Sequence, residues 1–378
     1  MKQKVFICSE YYKPGFLGGG PIQSVFNLTN LLSNNFQFFV LTKNFDLNQK
    51  LNPYNLKINK WITQNNNSQI RYVNSFRYYF FTWIQLFIIK PNFIYLNSFF
   101  SVGTRTNLFQ AMFYSFFYNC KIILAPRGEF DNGALSIKSI KKYLFINFFN
   151  IISNSKIIFQ ATTKKEKELI EKQIKNKQII TANNIPKLVQ LKRDKTNKNP
   201  LISKFVFISR ISPKKNLLFA IECLKEARVK GSIEFIIIGP FEDKDYWNKC
   251  KHELKKLPEN ICVNVLGPIP NHKIDPFLRS CHYLFFPTLG ENFGHVIYES
   301  LANGLPIVIS EHTPWEEGFK NGVFALPLAN KAAFVSIISK LHEFNQDEYD
   351  EISCNALSYA RKKINLEDLK KQYINLFK

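Results

Sequence analysis

The sequence predicts an α/β protein with two halves, each of which holds a mainly parallel sheet. Its 378 residues exceed what one ordinary hydrophobic core accommodates and fit two domains of common size. Short apolar runs alternate with helical stretches along both halves, a pattern that implies parallel strands joined by right-handed crossovers. The alternation breaks around 183–186, where a polar and basic stretch without a usable period follows.

The first half contains six apolar runs that are typical of buried strands and four stretches of helical character. The predicted strands are 5–8, 38–41, 70–73, 93–96, 122–125 and 157–160, and the predicted helices are 21–33, 76–89, 105–118 and 137–152. Segment 44–68 is rich in Asn and Gln, and we predict that it is a long irregular insertion.

The second half repeats the alternation and ends in helices. Its predicted strands are 205–208, 235–238, 261–265, 283–286, 307–309 and 322–326. The expected domains are therefore a first domain at 1–185, a linker at 186–203, a second domain at 204–360 and a terminal helix at 361–378.

Composition limits the classes of function. Hydrophobic residues make up 46% of the chain, so both domains can bury real cores and disorder is not expected over most of the length. The formal charge of +22 predicts a surface that attracts anions, whether phosphates, nucleic acid or an acidic membrane leaflet. A compositional bias towards Lys, Asn, Ile and Phe explains part of this charge equally well.

The spacing of cysteine and histidine favours a reduced protein without a metal site. The seven Cys are odd in number and include no C-x-x-C pair, and His272, His282 and His312 show no ligand spacing. The N-terminus enters a strand without a signal peptide, so we expect a cytoplasmic location. The apolar run 78–89 is shorter than the roughly 20 residues of a membrane-crossing helix and predicts a buried or interfacial helix.

A glycine-rich loop follows the first predicted strand and precedes the first predicted helix. Gly18, Gly19 and Gly20 allow the backbone to approach a ligand, and the next helix presents free N–H groups to an anion. The spacing matches neither a dinucleotide fingerprint nor a Walker loop. The sequence is therefore compatible with two interpretations of this loop, an anion-binding site and a plain connecting loop.

Two cations flank the turn after the first strand of the second half. Arg210 and Lys215 are placed to converge on the phosphates of one ligand, because the turn leads directly into a helix. By themselves they fit a solvated basic turn at least as well, since the chain is rich in lysine.

Run 289–309 contains the most informative pattern, a polar loop followed by a helix and a buried parallel strand. On one continuous helix Glu291 and Glu299 would lie about 80° apart, so a shared helix face does not explain the pair. If Glu291 lies in the loop and Glu299 in the helix, one contacts the reacting end of a ligand and the other a more distant hydroxyl. The alternative is an ordinary charged helix face.

Backbone groups complete this pattern. Asn292, Phe293 and Gly294 stand at the predicted start of the helix, where N–H groups lack helical partners. They are therefore predicted to bond sugar hydroxyls or phosphate oxygens.

Taken together, these motifs resemble the retaining glycosyltransferases of family four, the group 1 type with the two-lobed GT-B fold. The most specific likeness is the pattern of glutamate, seven residues, glutamate, which Glu291 and Glu299 match. Support comes from Arg210 with Lys215, from the glycine-rich loop and from segment 125–129. The resemblance covers nearly the whole chain.

The resemblance implies two Rossmann-like lobes that face a central cleft, with the C-terminal helix returning to the N-terminal lobe. The donor would bind mostly to the C-terminal lobe and the acceptor to the N-terminal lobe. The implied catalytic residues are Arg210 and Lys215 at the diphosphate and Glu291 at the sugar. The implied donor-binding residues are Gly18, Gly19, Gly20, Arg127, Asn292, Phe293, Gly294 and, at the ribose, Glu299. No metal or cofactor is expected, because fixed cations and helix-end N–H groups can stabilise the departing diphosphate.

The resemblance therefore predicts transfer of a hexose or related sugar, with retention, from a UDP- or GDP-sugar to a growing surface glycan such as lipopolysaccharide or capsule. Segments 76–90 and 109–121 are aromatic and basic, which favours a lipid-linked acceptor and an anionic membrane surface as partners. Core helices are the alternative for these segments. The alternative enzymatic function is that of a nucleotide-sugar epimerase of the same fold. The alternative non-enzymatic function is that of a basic nucleic-acid-binding protein, although no nucleic-acid motif supports it.

Overall fold

The structure is a computed structural model that describes residues 2–378 except 48, 50, 51, 66, 132, 133, 136–138, 188–195 and 317. It divides the chain into two compact units. The first consists of Met1–Pro186 with Leu366–Lys378, and the second consists of Lys187–Asn365.

The first unit holds an eight-stranded sheet over its described residues. Its strands are β1 (Lys4–Cys8), β2 (Gln37–Lys43), β3 (Trp61–Asn65), β4 (Ser68–Val73), β5 (Phe93–Asn97), β6 (Lys121–Ala125), β7 (Ile157–Ala161) and β8 (Gln178–Thr181). Its helices are α1 (Gly20–Leu31), α2 (Ser75–Ile89), α3 (Val102–Phe117), α4 (Ser139–Ile152), α5 (Lys164–Gln173) and, at the end of the chain, α12 (Leu366–Leu376). The order is β3-β4-β2-β1-β5-β6-β7-β8, and only the β3–β4 pair is antiparallel.

Both faces of this sheet are buried, which is why its strands read as continuous apolar runs. In β1, Val5 and Ile7 point into one core while Phe6 and Cys8 point into the other, as the two-residue period of a strand requires. Helices α2, α3 and α4 cover the face of Phe6, and helices α1 and α12 cover the face of Val5.

Among the residues that the structure describes, the second unit holds a six-stranded sheet. Its strands are β9 (Ile202–Ile208), β10 (Ser232–Ile238), β11 (Ile261–Gly267), β12 (Tyr283–Phe286), β13 (Ile307–Ser310) and β14 (Val323–Leu326). Its helices are α6 (Leu217–Glu226), α7 (Lys244–Leu254), α8 (Asn271–Leu278), α9 (His295–Ala302), α10 (Lys331–Glu343) and α11 (Gln346–Lys363). The order is β11-β10-β9-β12-β13-β14, and every neighbouring pair is parallel.

Each sheet reverses its strand order beside its first strand. Strand β1 lies between β2 and β5, and β9 lies between β10 and β12. Open α/β sheets bind ligands at such a reversal, outside the carboxyl ends of the strands. The loops that follow these strands are therefore where functional residues are expected in each unit.

The predicted class, two Rossmann-like units with mainly parallel sheets, is confirmed, whereas two local details differ. Segment 44–68 is not irregular throughout, since it contains β3. Strand β3 has the polar sequence WITQN, and it forms because it pairs with β4 and because Trp61 packs 5.5 Å from the Phe39 ring. Strand β8 is a second addition to the predicted strands.

The chain passes between the units at two places. Residues 188–195 of the predicted linker lie outside the described residues, and the following ones belong to the second unit, where Thr196 Oγ1 donates to the Arg279 carbonyl at 2.8 Å. The terminal helix α12 belongs to the first unit. Phe377 packs 5.1 Å from the Phe36 ring and 5.4 Å from the Phe93 ring.

His282 is a buried titratable group in the core of the second unit, directly before β12. Its Nδ1 accepts a hydrogen bond from the Lys204 backbone N–H at 2.9 Å, and its Nε2 donates to the Asn197 carbonyl at 2.9 Å. This pairing requires a neutral ring, and burial lowers the pKa of His282 from 6.5 to about 4.

We predict that the second unit loses stability as the pH falls from 6.5 towards 4. Between these pH values His282 binds a proton in the unfolded chain but not in the folded chain. The free energy of unfolding therefore falls by up to about 3 kcal/mol. Urea unfolding of the full chain at several pH values measures it. The His282→Gln variant should be less stable at neutral pH and should depend less on pH, and an equal pH dependence in both proteins would contradict the assignment.

Candidate functional site

In the second unit, two loops lie side by side at the carboxyl ends of β9 and β12. The loop after β9 ends in a short 3-10 turn, Pro213–Lys215. The loop after β12 is tied to it, because Leu289 N–H and Thr288 Oγ1 both donate to the Lys214 carbonyl, at 2.9 and 3.1 Å. Both hydrogen bonds end on the backbone carbonyl of Lys214, so the register between the loops does not depend on its exposed side chain.

These loops bring Lys215 and Glu291 into an ion pair between Lys215 Nζ and Glu291 Oε1. The two side chains are only 14% and 15% exposed. Lys215 Nζ also lies 5.6 Å from the centre of the Phe286 ring, and the Glu291 N–H donates to the His312 carbonyl at 3.0 Å. Because little water screens the pair, its charges act strongly on each other and on any ligand placed beside them.

Arg210 lies apart from this pair. Its guanidinium binds Glu242, which follows β10, and both side chains are more than a third exposed. Strand β9 lies between β10 and β12, so Arg210 pairs on one side of β9 and Lys215 on the other. The two cations therefore have different acidic partners here, and their convergence on one phosphate group stays a prediction.

The two glutamates occupy different elements. Glu291 lies in the loop, whereas Glu299 lies in the second turn of α9 and is 8% exposed. The helix begins after Gly294, whose φ is 75° and where a Cβ would stand 2.7 Å from Ile297 Cδ1. Only glycine fits this turn, and the turn is what directs the start of α9 towards the loop.

The start of α9 presents free hydrogen-bond donors. Within the described part of the chain, the backbone N–H groups of Asn292, Phe293 and Gly294 donate to no protein acceptor, nor does the Asn292 side-chain amide. The loop itself is anchored, since Trp315 Nε1 donates to the Phe293 carbonyl at 2.5 Å. A helix N-terminus with unused donors attracts an anion.

In the first unit, the glycine-rich loop after β1 is held by one buried carboxylate. Asp46 is fully buried, and its Oδ2 accepts from the N–H groups of Phe16 at 2.6 Å and Leu17 at 2.9 Å, and from the Tyr54 hydroxyl at 3.2 Å. Gly19 has a φ of 68° and precedes α1, which begins at Gly20. Asp46 is not among the predicted site residues, because it belongs to no motif and lies in the segment predicted to be irregular.

A second carboxylate at the same edge of the sheet holds the start of α3. Glu10, which follows β1, accepts from the Ser101 hydroxyl at 3.1 Å and the Gly103 N–H at 3.0 Å, and it pairs with Lys43 Nζ at 3.0 Å. A Cβ on Gly103 would stand 2.1 Å from the Glu10 carboxylate. The only sequence signal is a charged residue after each of two neighbouring strands.

Glu129 and Glu166 repeat this arrangement further along the sheet. Glu129 accepts from Ser98 Oγ at 2.6 Å and from the Phe99 and Phe100 N–H groups, and burial raises its pKa despite these hydrogen bonds. Glu166 is 2% exposed and accepts from the N–H group of Gly128, at 2.5 Å. Four carboxylates thus hold three loops at one edge of the sheet, those that follow β1, β5 and β6.

Arg127, the predicted donor contact in this unit, is engaged inside the protein. Its Nε donates to Asn97 Oδ1 at 3.0 Å, its Nη2 donates to the Tyr95 hydroxyl at 2.6 Å, and its Nη1 donates to Asn184 Oδ1. The side chain therefore joins the end of β5 to the segment that leaves the unit. A contact between Arg127 and a sugar stays a prediction.

The described residues hold no group of three or more His, Cys, Asp or Glu side chains that could bind a metal ion. Across the same residues, no helix is long and apolar enough to cross a membrane.

Comparison with known proteins finds similarity to glycosyltransferases over part of the chain. Residues 189–362 match the sequence model of the family "Glycosyl transferases group 1". The chain is also 22% identical over 176 residues to an uncharacterized glycosyltransferase of Methanocaldococcus jannaschii, a match that spans 46% of this chain and 44% of that protein. The predicted resemblance to group 1 glycosyltransferases is thereby confirmed.

Solved structures of the same fold cover the whole chain. Anabaena HepE in complex with UDP and glucose has a TM-score of 0.70 at 16% identity and covers 99% of each chain. Sucrose-phosphate synthase from Thermosynechococcus elongatus has a TM-score of 0.72 at 12% identity, over 100% of this chain and 98% of that one. WaaG, described as a glycosyltransferase of lipopolysaccharide biosynthesis, has a TM-score of 0.66 at 12% identity, over 99% of each chain. The fold of this chain is therefore GT-B.

We predict that Asp46→Ala loosens the glycine-rich loop. The substitution leaves two N–H groups without their acceptor, so the first unit should lose about 1–3 kcal/mol of stability and residues 15–20 should become more sensitive to protease. Tyr54→Phe is the matched control, because it removes one hydroxyl donor to the same carboxylate and spares both N–H contacts. Urea unfolding and limited proteolysis measure the two effects, and equal losses in both variants would contradict the assigned role.

Proposed function

Since residues 189–362 match the group 1 glycosyltransferases, we propose that this chain is a retaining, metal-independent glycosyltransferase with a UDP- or GDP-sugar donor. One observation carries the proposal: the Lys215–Glu291 pair stands in the same loop region as the unused N–H groups of Asn292 to Gly294. A cation and a helix N-terminus suit a diphosphate, and a carboxylate suits sugar hydroxyls.

In the proposed reaction, the bond between the sugar and the β-phosphate breaks and negative charge builds on the leaving diphosphate. Lys215 exchanges Glu291 for a phosphate oxygen, and the N–H groups at the start of α9 bond the same phosphate. Arg210, which is more exposed, can leave Glu242 for a second phosphate oxygen. The departing phosphate helps to take the acceptor proton, so that the acceptor attacks from the side the diphosphate leaves and the configuration is retained.

The remaining roles follow the resemblance. Glu291, released by Lys215, bonds the donor sugar, while Glu299 bonds the ribose hydroxyls from its buried position in α9. Gly18, Gly19, Gly20 and Arg127 are proposed donor-binding residues on the resemblance alone. Support for a uridine donor comes from HepE, which binds UDP and glucose.

We propose further that the acceptor is a growing, lipid-linked surface glycan, as in lipopolysaccharide or capsule synthesis, and that the enzyme works at the cytoplasmic face of the cell membrane as a peripheral protein. The similarity to WaaG supports the pathway. No nucleic-acid partner is proposed, because the sequence contains no nucleic-acid-binding motif and the basic charge also suits a phosphate-bearing donor and an anionic surface.

Nucleotides should stabilise the folded chain selectively. At a concentration of one hundred times its Kd, a ligand adds about 2.7 kcal/mol to the free energy of unfolding. We expect this from UDP or GDP and their sugars and not from ADP, in thermal unfolding of the full chain without added metal. Lys215→Ala should abolish the shift, whereas Lys249→Ala, an exposed lysine on α7, should keep it. If none of the nucleotides shifts the melting temperature, the donor assignment is wrong.

Substitutions at the ion pair should separate binding from chemistry. Lys215→Ala and Glu291→Gln should each lower sugar transfer at least about a hundredfold, because each removes a group that acts on the departing diphosphate or the sugar. Only Lys215→Ala should also weaken nucleotide binding, because Glu291→Gln leaves Lys215 free for phosphate. Hydrolysis or transfer of a labelled donor measures activity, and the melting temperature checks folding. Near-normal turnover in both variants would contradict the proposed mechanism.

A further inference from the structure

An exposed apolar surface covers one side of the first unit. We call it the aromatic face and define it by the exposed large apolar side chains of α2, α3 and α4. These are Phe80, Ile88, Val102, Phe109, Phe113, Phe116, Phe117, Ile140, Tyr143, Leu144, Phe148 and Ile151. Their exposed fractions range from 42% to 82%.

The three helices form one continuous layer. Trp83 of α2 packs 5.2 Å from the ring of Phe113 of α3, and Phe109 of α3 packs 6.1 Å from the ring of Phe148 of α4. The inward sides of the same helices belong to a single core cluster. The exposed side chains therefore share the outer side of one helical layer.

The size of this surface is unusual for a protein without a partner. If a large apolar side chain has about 200 Å² of accessible area, these side chains together leave on the order of 1,000 Å² in water. The largest apolar patch on a typical monomer is about 300–600 Å². The aromatic face exceeds that size, so the sequence-based alternative, that these aromatics are simply core residues, accounts only for the inward sides.

The charges of the layer have one sign. Helices α2, α3 and α4 contain 15, 16 and 14 residues, and none of these 45 is Asp or Glu. At the average of the chain, 29 acidic residues in 378, the layer would hold three or four. Its charged residues are Arg77, Arg105, Lys141 and Lys142, of which Arg77 and Lys141 are exposed, whereas Lys142 Nζ donates to the Ala134 carbonyl. A general excess of lysine in the chain does not explain a complete lack of carboxylates.

This charge pattern decides between two occupants. A second copy of the chain, docked by the same face, would oppose like charges with no carboxylate of either layer to pair them. A bilayer with anionic lipids supplies both the negative charges and the apolar contacts that the aromatic face lacks. Its headgroups pair with the cations, and its acyl chains cover the aromatic side chains. The helices are shorter than the roughly 20 residues of a spanning segment, so they would lie in the interface.

We propose that the aromatic face is a docking surface for an anionic membrane, with the exposed Phe and Ile side chains inserted among the lipids. The proposal deepens the proposed function, because it rests on a membrane-bound acceptor as the reason to dock. It assigns the lipid contact to α2, α3 and α4 rather than to the basic chain as a whole.

Vesicle flotation of the full chain tests this surface. The wild type should float with phosphatidylcholine vesicles that contain phosphatidylglycerol, less so at high salt, and poorly with phosphatidylcholine alone. The double variant Phe116→Ser/Phe117→Ser removes two side chains that are 77% and 63% exposed, and it should lower vesicle partitioning at least about tenfold. Val265→Ser/Leu266→Ser, which changes two exposed apolar residues of β11, is the matched control and should float like the wild type.

Three further outcomes would overturn the proposal. The wild type could stay unbound with anionic vesicles, or the face variant could float as well as the control. Light scattering could instead show a dimer that the face variant converts to a monomer, which would assign the face to a second copy. Nucleotide-induced stabilisation of the face variant, measured in parallel, should equal that of the wild type. Its loss in both proteins would contradict the proposed function and leave the docking result standing.

Discussion

Carboxylates that accept backbone N–H groups hold together the loops at the carboxyl ends of the strands in the first unit. Asp46 binds the glycine-rich loop, Glu10 binds the start of α3, and Glu129 binds the loop after β5. A charged acceptor makes a stronger hydrogen bond than a neutral one, and in a low-dielectric interior it can replace several peptide carbonyls. The chain has 51 basic and only 29 acidic residues, and it places several of its carboxylates where loops would otherwise have unpaired donors.

The second unit uses its charges differently. There, Glu291 pairs with a lysine, and the nearby N–H groups at the start of α9 find no acceptor among the residues that the structure describes. In the first unit the carboxylates already satisfy the loop donors, whereas a paired lysine next to open donors can exchange partners when an anion binds. This difference is the physical reason for proposing that the second unit binds the diphosphate.

The abundance of phenylalanine has two consequences in the first unit. On the inner side of the α2–α4 layer, aromatic rings such as Phe99, Phe149 and Phe159 pack within 6 Å of one another in the core. On the outer side, the same composition leaves the aromatic face exposed. A helix that is apolar all round needs burial on both sides. The first unit covers one side with its sheet, and an anionic membrane is the partner that the charge of the other side fits.

The sequence by itself determined the two-unit α/β class, because apolar runs of strand length alternate with helices. It also singled out Lys215 by its place after a strand, and Glu291 and Glu299 by their spacing across a loop and a helix. The tertiary structure decided that Lys215 pairs with Glu291. Arg210 and Lys215 look equivalent in the sequence but pair with carboxylates that follow different strands, β10 and β12, since lateral strand order does not follow chain order. Strand β3 and the role of Asp46 could not be predicted from the sequence for a related reason. A polar edge strand and a single carboxylate acquire their roles only from neighbours that are distant in sequence.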